Sequence, residues 1–291
     1  MKYLAKNDDK HMMKIGQKIT GIVARLVVKT RRVNVASLRG AELFSTIFAQ
    51  PGRAERLKIN GLDLTVTAYH LNGRAAAKLG ISPVTLRGGA EIQVLTKEDY
   101  KRYCATFEAD PEVLAGVYAP AGKKELYRLM QGAQPMLSRA NRKILVPEDA
   151  SALTLCHEIL HDFYLNQNLW ALAEERIGFS RLVVSQIYRE AITAPDSEAM
   201  KFFAGVAARC AEPFDLARIT KTNVPEILAT RRNLKFLEDT QIFIGEIFAY
   251  GASMAILSRL APGYSEEGLG KVPEELRIYF ERTIMNPDLQ G

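Results

Sequence analysis

Residues 143 to 166 read KILVPEDASALTLCHEILHDFYLN. The first four are a short strand signal, and Pro147 stops it because a proline has no amide hydrogen to give a sheet. Asp149 or Ser151 then offers a side-chain oxygen to the free amides of a new helix. Ala152, Cys156, Ile159, Leu160 and Phe163 recur at helical spacing and give that helix one apolar face. On this reading the stretch is the hinge of the chain, with strands before it and helices after it.

Upstream, the pattern moves toward period two from Leu57. Leu62, Leu64, Val66 and Ala68 alternate with polar residues, and Asn60-Gly61 ahead of them is a hairpin-turn signal. Further strands are expected at Glu91 to Leu95, Val113 to Tyr118 and Lys143 to Val146, with a helical stretch near Lys123 to Gln131. Downstream, helices are expected at 168 to 193, 196 to 211 and 225 to 260. Ala194-Pro195, Glu212-Pro213, Val224-Pro225 and Pro262-Gly263 break them. The expected fold class is α+β, a small mixed sheet followed by a mainly helical half.

With 291 residues, 47% hydrophobic and 25% charged, the chain can bury a substantial core. The opening MKYLAKNDDKHMMK is charged and unlike a secretory leader, and no run approaches 18 uninterrupted apolar residues, so a cytoplasmic location is expected. Cys104, Cys156 and Cys210 are odd in number and far apart, which excludes a disulfide framework and a CxxC metal site. Residues 1 to 60 hold 13 Lys and Arg against 4 Asp and Glu, a net of +9, while the remainder holds 26 against 29, a net of −3. Within that basic region Ile15, Ile19, Ile22, Val23 and Leu26 share one stripe and Lys14, Lys18, Arg25 and Lys29 another. The expectation is a basic helical N-terminal segment over residues 1–55. It either docks on an acidic partner, nucleic acid or a membrane surface, or packs on residues 56–291 as a solvated helix.

The chemistry concentrates at His157-Glu158-Ile159-Leu160-His161. Two histidines four apart on a helix project from the same face and can hold one cation between them. Glu158, adjacent to the first, can reach a water beside the ion without ligating it, as a general base requires. Zn2+ suits two imidazoles and a carboxylate, with a fourth position left open. With only four histidines present, chance would produce this pattern about three times in a thousand such chains. His11 and His70 precede the motif and no histidine follows it, so a downstream third ligand must be a carboxylate. Glu174, Glu175, Glu190, Glu198, Glu238, Asp239 and Glu246 are available. Glu246 stands alone in the apolar run Ile242 to Tyr250, where an unpaired charge is costly and a divalent ion would remove the cost. A buried ion pair with Arg or Lys, or a place at a helix edge, is the competing account.

These residues resemble the gluzincin branch of the zincin metallopeptidases, in which a helix bearing HExxH supplies two ligands and a base, and a Glu on a later helix is the third ligand. His157, His161 and Glu158 match the first helix, and Gly245-Glu246-Ile247-Phe248-Ala249-Tyr250 is similar to the later one, most of all in peptidase domains similar to anthrax lethal factor. Ala115-Gly116-Val117-Tyr118 and Lys143-Ile144-Leu145-Val146 resemble the strands leading into the motif helix. The resemblance implies a zincin-like domain over residues 56–291 with its metal site on two helices, a peptide or protein substrate, and an edge strand that pairs with it. It departs from the family at Asp162, where an uncharged residue usually follows the second histidine, and at Asp239, near where a tyrosine usually stabilises the oxyanion. Tyr250 or Tyr164 can substitute. The implied reaction is peptide hydrolysis, with zinc on His157, His161 and Glu246 and with Glu158 as the base. The rival expectation is a non-catalytic protein in which the site, with or without zinc, supports the fold while the basic N-terminal helix binds a partner.

Overall fold

The structure is a computed structural model that describes residues 34–59, 61–83, 90–106, 117–119, 143–166, 173–210, 213–221 and 240–286. The basic helix expected over 12 to 29, the helical stretch at Lys123 to Gln131 and the candidate ligands Glu238 and Asp239 lie outside the described residues.

Five strands form one mixed sheet: β1 Arg53–Ile59, β2 Leu62–His70, β3 Glu91–Leu95, β4 Val117–Ala119 and β5 Lys143–Pro147. Their spatial order is β1-β2-β3-β5-β4. Ile59 pairs with Leu62 across the two-residue Asn60-Gly61 connection, and Gly61 has φ +81, a conformation that glycine adopts without steric cost. β2 and β3 are antiparallel. β3 and β5 run parallel, with Glu91 opposite Lys143 and Leu95 opposite Pro147. β4 closes the far edge antiparallel to β5, with Val117 opposite Leu145 and Ala119 opposite Lys143.

Period-two alternation sends the two faces of the sheet into different cores. Leu64, Val66, Leu95 and Leu145 meet Tyr100, Tyr103 and Cys104 from helix α3, Lys97–Ala105. Ile92, Val94, Ile144 and Val146 face the main core. That core is built with α1 Gly40–Ile47, α2 Gly73–Lys78, α4 Ala152–Asn166, α5 Ala173–Thr193, α6 Glu198–Arg209, α7 Ala217–Thr220, α8 Gln241–Leu260 and α9 Glu274–Phe280. The sequence divided the chain after residue 55. In the structure Val35, Leu38, Leu43, Phe44, Ile47 and Phe48 share the main core with α4 and α8, and β1 runs through residue 55.

Helix α8 is the centre of the helical layer. Its length and mean hydropathy of 1.3 are those of a membrane span, but 78% of its most apolar stretch is buried inside the protein. Phe248 accounts for much of this. Its ring lies 5.9 Å from Phe163, 4.9 Å from Tyr164, 5.3 Å from Phe179 and 5.4 Å from Phe280, so one aromatic side chain joins α4, α5, α8 and α9. Gly251 allows that closeness, because a Cβ there would stand 2.7 Å from the Phe280 ring.

Candidate metal centre

Helix α4 begins where the Thr154 amide donates to Ser151 Oγ at 3.1 Å, so Ser151 rather than Asp149 supplies the cap. Leu155, Cys156, Ile159, Leu160 and Phe163 are buried, which anchors the helix and fixes the direction of its other face. That face carries His157 and His161, whose Nε2 atoms approach to 2.9 Å. The rings meet edge-on, with centroids 4.4 Å apart.

Helix α8 packs against α4 and delivers Glu246 into the same space. Its Oε2 lies 3.3 Å from His157 Nε2 and its Oε1 3.3 Å from His161 Nε2. A tetrahedral zinc with bonds of about 2.0–2.1 Å requires ligand atoms about 3.3–3.4 Å apart. Each imidazole meets a different Glu246 oxygen at about that distance and the two imidazoles stand closer than it, so the three side chains are gathered tightly enough to form a group that can hold a metal ion. The Glu246 side chain is 21% exposed and those of His157 and His161 are 10% and 13% exposed. The cluster is thus mostly buried, with Glu246 its most exposed member.

The charges in the cluster depend on one another. Burial works to raise the Glu246 pKa, but the His161 charge and hydrogen bonds from both histidines outweigh it and hold the carboxyl far below the usual carboxylate range. Burial likewise works to lower His161, yet the Glu246 carboxylate, with a smaller contribution from Glu158, raises it above its ordinary value. The Glu246 carboxylate thus favours the charged form of His161, and a cation bound there would compete with a proton for that imidazole.

Glu158 is 4% exposed, and its Oε1 stands 3.9 Å from His157 Nε2. It sits beside the ligand set without belonging to it. The phenol of Tyr103 is pushed up to about 12 by burial first, then by Cys104 and Glu158. Asp162 is fully buried immediately after the second histidine.

The two tyrosines that could serve the site separate clearly. Tyr250 sets its ring 4.2 Å from the His157 ring at a 51° tilt and is partly exposed. Burial, then the charges of Glu246 and Glu158, hold its phenol well above the ordinary value, so it remains a hydrogen-bond donor. Tyr164 is 1% exposed, and its hydroxyl donates to Gln241 at 3.3 Å. It faces the core between the helices.

Among the described residues, the other candidate carboxylates do not join the cluster. Glu190 accepts from Ser197 Oγ at 2.8 Å, and Glu198 pairs with Lys201 at the surface. The side chains of Glu174 and Glu175 are outside the described residues. Sequence reasoning missed Gln241 and Ser180, two buried polar residues that lie behind the site. The available signal was a lone amide opening an otherwise apolar helix.

No protein-family model matches the chain, and neither does a curated protein or a solved structure. Fold and site together define a mixed α+β protein with a two-histidine, one-carboxylate cluster carried on two packed helices.

Proposed function

We propose that this protein is a zinc-dependent metallopeptidase of the gluzincin type, with His157, His161 and Glu246 as ligands and Glu158 as general base. The observation that carries the reading is the convergence of three potential ligands, with separations of 2.9, 3.3 and 3.3 Å, although Glu246 lies 85 positions beyond His161 in the chain. When bound, zinc would polarise the scissile carbonyl and acidify a water.

The remaining steps belong to side chains. Glu158 takes a proton from the attacking water on a carboxylate oxygen and passes it to the leaving amine. Its burial and its position outside the ligand set suit that task, because a carboxylate committed to the ion could not shuttle protons. Tyr250, tilted against the His157 ring, donates its hydroxyl hydrogen toward the oxygen that gains charge in the transition state. His157 and His161 would bind zinc through neutral imidazoles, so zinc and protons compete for them.

The sheet supports the same reading. β4 is an antiparallel edge strand and contacts the motif helix. An extended peptide that paired with this strand would gain main-chain hydrogen bonds beside the motif helix. The testing experiment is Glu158→Gln in the full chain. It should keep stoichiometric zinc while losing peptide hydrolysis, and a variant that retained full activity would refute the mechanism.

A further inference from the structure

A chain of buried hydrogen bonds links the two helices that carry the ligands to a third. The Tyr164 hydroxyl on α4 donates to Gln241 Oε1 on α8 at 3.3 Å, and Gln241 Nε2 donates to Ser180 Oγ on α5 at 3.0 Å. Their exposures are 1%, 3% and 0%. Tyr164 follows the ligand His161 by three residues, and Gln241 opens the helix that carries Glu246 five residues on. We infer that this chain sets the register of the Glu246 helix against the histidine helix, which makes Tyr164, Gln241 and Ser180 positioning residues of the metal centre. The inference rests on the reading that His157, His161 and Glu246 hold zinc.

The physical need is one of precision. Apolar contacts such as those around Phe248 are strong but non-directional. A slip of one residue along a helix moves a side chain by about 1.5 Å, whereas metal–ligand distances hold to within about 0.2 Å. Hydrogen bonds between fixed atoms supply the missing direction, since any slip would stretch or break them. Position adds to the case. A Cβ on Gly245 would stand 3.3 Å from Tyr164 Cε1, so the Tyr164 ring rests on the α8 backbone immediately beside Glu246. For stability alone, Phe, Leu and Ala at the three positions would serve as well, because buried polar groups rarely stabilise more than well-packed apolar ones. What a polar chain adds is registry.

The test uses the full chain and two readouts other than activity. These are the zinc Kd, by competition with a chromophoric chelator, and the visible absorption of the Co2+-loaded protein. Tyr164→Phe and Ser180→Ala each remove one oxygen, and Gln241→Leu removes the bridge. Each should raise the zinc Kd about tenfold or more, the effect usual for groups that orient metal ligands, and should alter the intensity of the Co2+ bands. Ile256→Val trims the buried core near the other end of α8; it should lower the Tm and leave the Kd unchanged. Should Gln241→Leu fail to fold, the two single-oxygen variants decide the matter. Zinc Kd values within twofold of the parent, or a matching rise in Ile256→Val, would overturn the positioning role with the metal site intact. A parent chain that bound no zinc would overturn both.

Discussion

The two faces of the sheet bury different chemistry. On one, Leu64, Val66, Leu95 and Leu145 close over Tyr100, Tyr103 and Cys104, and no His or carboxylate is buried there among the described residues. On the other, His157, Glu158 and Asp162 are buried within one helix, and Glu246 meets the two histidines from a second. Burying several ionisable groups together is expensive unless they pair or bind an ion. Among the described residues that cost falls on these two helices, a concentration common at functional sites.

Substitutions on the two faces should therefore separate activity and metal binding from folding. The largest effect is expected at Glu158→Gln, with peptide hydrolysis falling by about 10²–10⁴-fold and zinc content by elemental analysis remaining at one per chain. Next comes Glu246→Gln, which should weaken zinc by more than the roughly 10–100-fold typical of outer partners, as read by chelator competition. On the opposite face, Leu145→Ala should cost about 2–5 kcal/mol of stability in denaturant unfolding with the zinc Kd unchanged. If Leu145→Ala disturbed zinc as strongly as Glu246→Gln, the division between the faces would fail.

Tyr250 offers a finer separation within the functional face. Tyr250→Phe keeps the ring against His157 and should lower kcat about tenfold with KM and zinc Kd unchanged, the signature of an interaction made only in the transition state. Tyr250→Ala should also weaken zinc, since the ring no longer braces His157.

The smallest effect concerns pH. Glu246 is held below its ordinary 4.5, so its contribution to the metal-free fold is present above about pH 4.5 and lost as pH falls through the folded value. His161 is raised above 6.5, so its contribution is complete below about pH 6.5 and lost as pH rises through the folded value. The metal-free ion pair thus stabilises most between those limits, while zinc must displace the His161 proton and binds better above them. The gap in Tm between zinc-loaded and metal-free protein should widen from pH 5.5 to pH 8. A gap that stayed constant or narrowed would contradict the shared-proton account.

Local signals in the sequence were read where the physics is local. Glu91 to Leu95 and Lys143 to Val146 alternate because each side chain chooses one of the two cores, and Asn60-Gly61 encodes its own turn. The motif helix follows from Ser151 and the spacing of its apolar residues, and Glu246 from the cost of a lone charge in an apolar helix. Other features depend on partners far away in the chain. β1 escaped notice upstream of Leu57 because an edge strand such as Arg53–Ile59 carries charges that hide its period. Of the expected strand from Val113 to Tyr118, positions 117 and 118 lie in Val117–Ala119, and positions 113 to 116 are outside the described residues. The bond from Tyr164 to Gln241 joins residues 77 apart, and no window of sequence contains both. The choice between Tyr164 and Tyr250 likewise depended on burial, as both lie one turn from a ligand.

The central claim, that one zinc ion is held by His157, His161 and Glu246, is tested most directly by anomalous diffraction at the zinc edge from crystals grown with one equivalent of zinc. The expected result is a single strong peak with His157 Nε2, His161 Nε2 and a Glu246 carboxylate oxygen each about 2.0–2.2 Å away. A peak held by other residues, or no peak between α4 and α8, would contradict it.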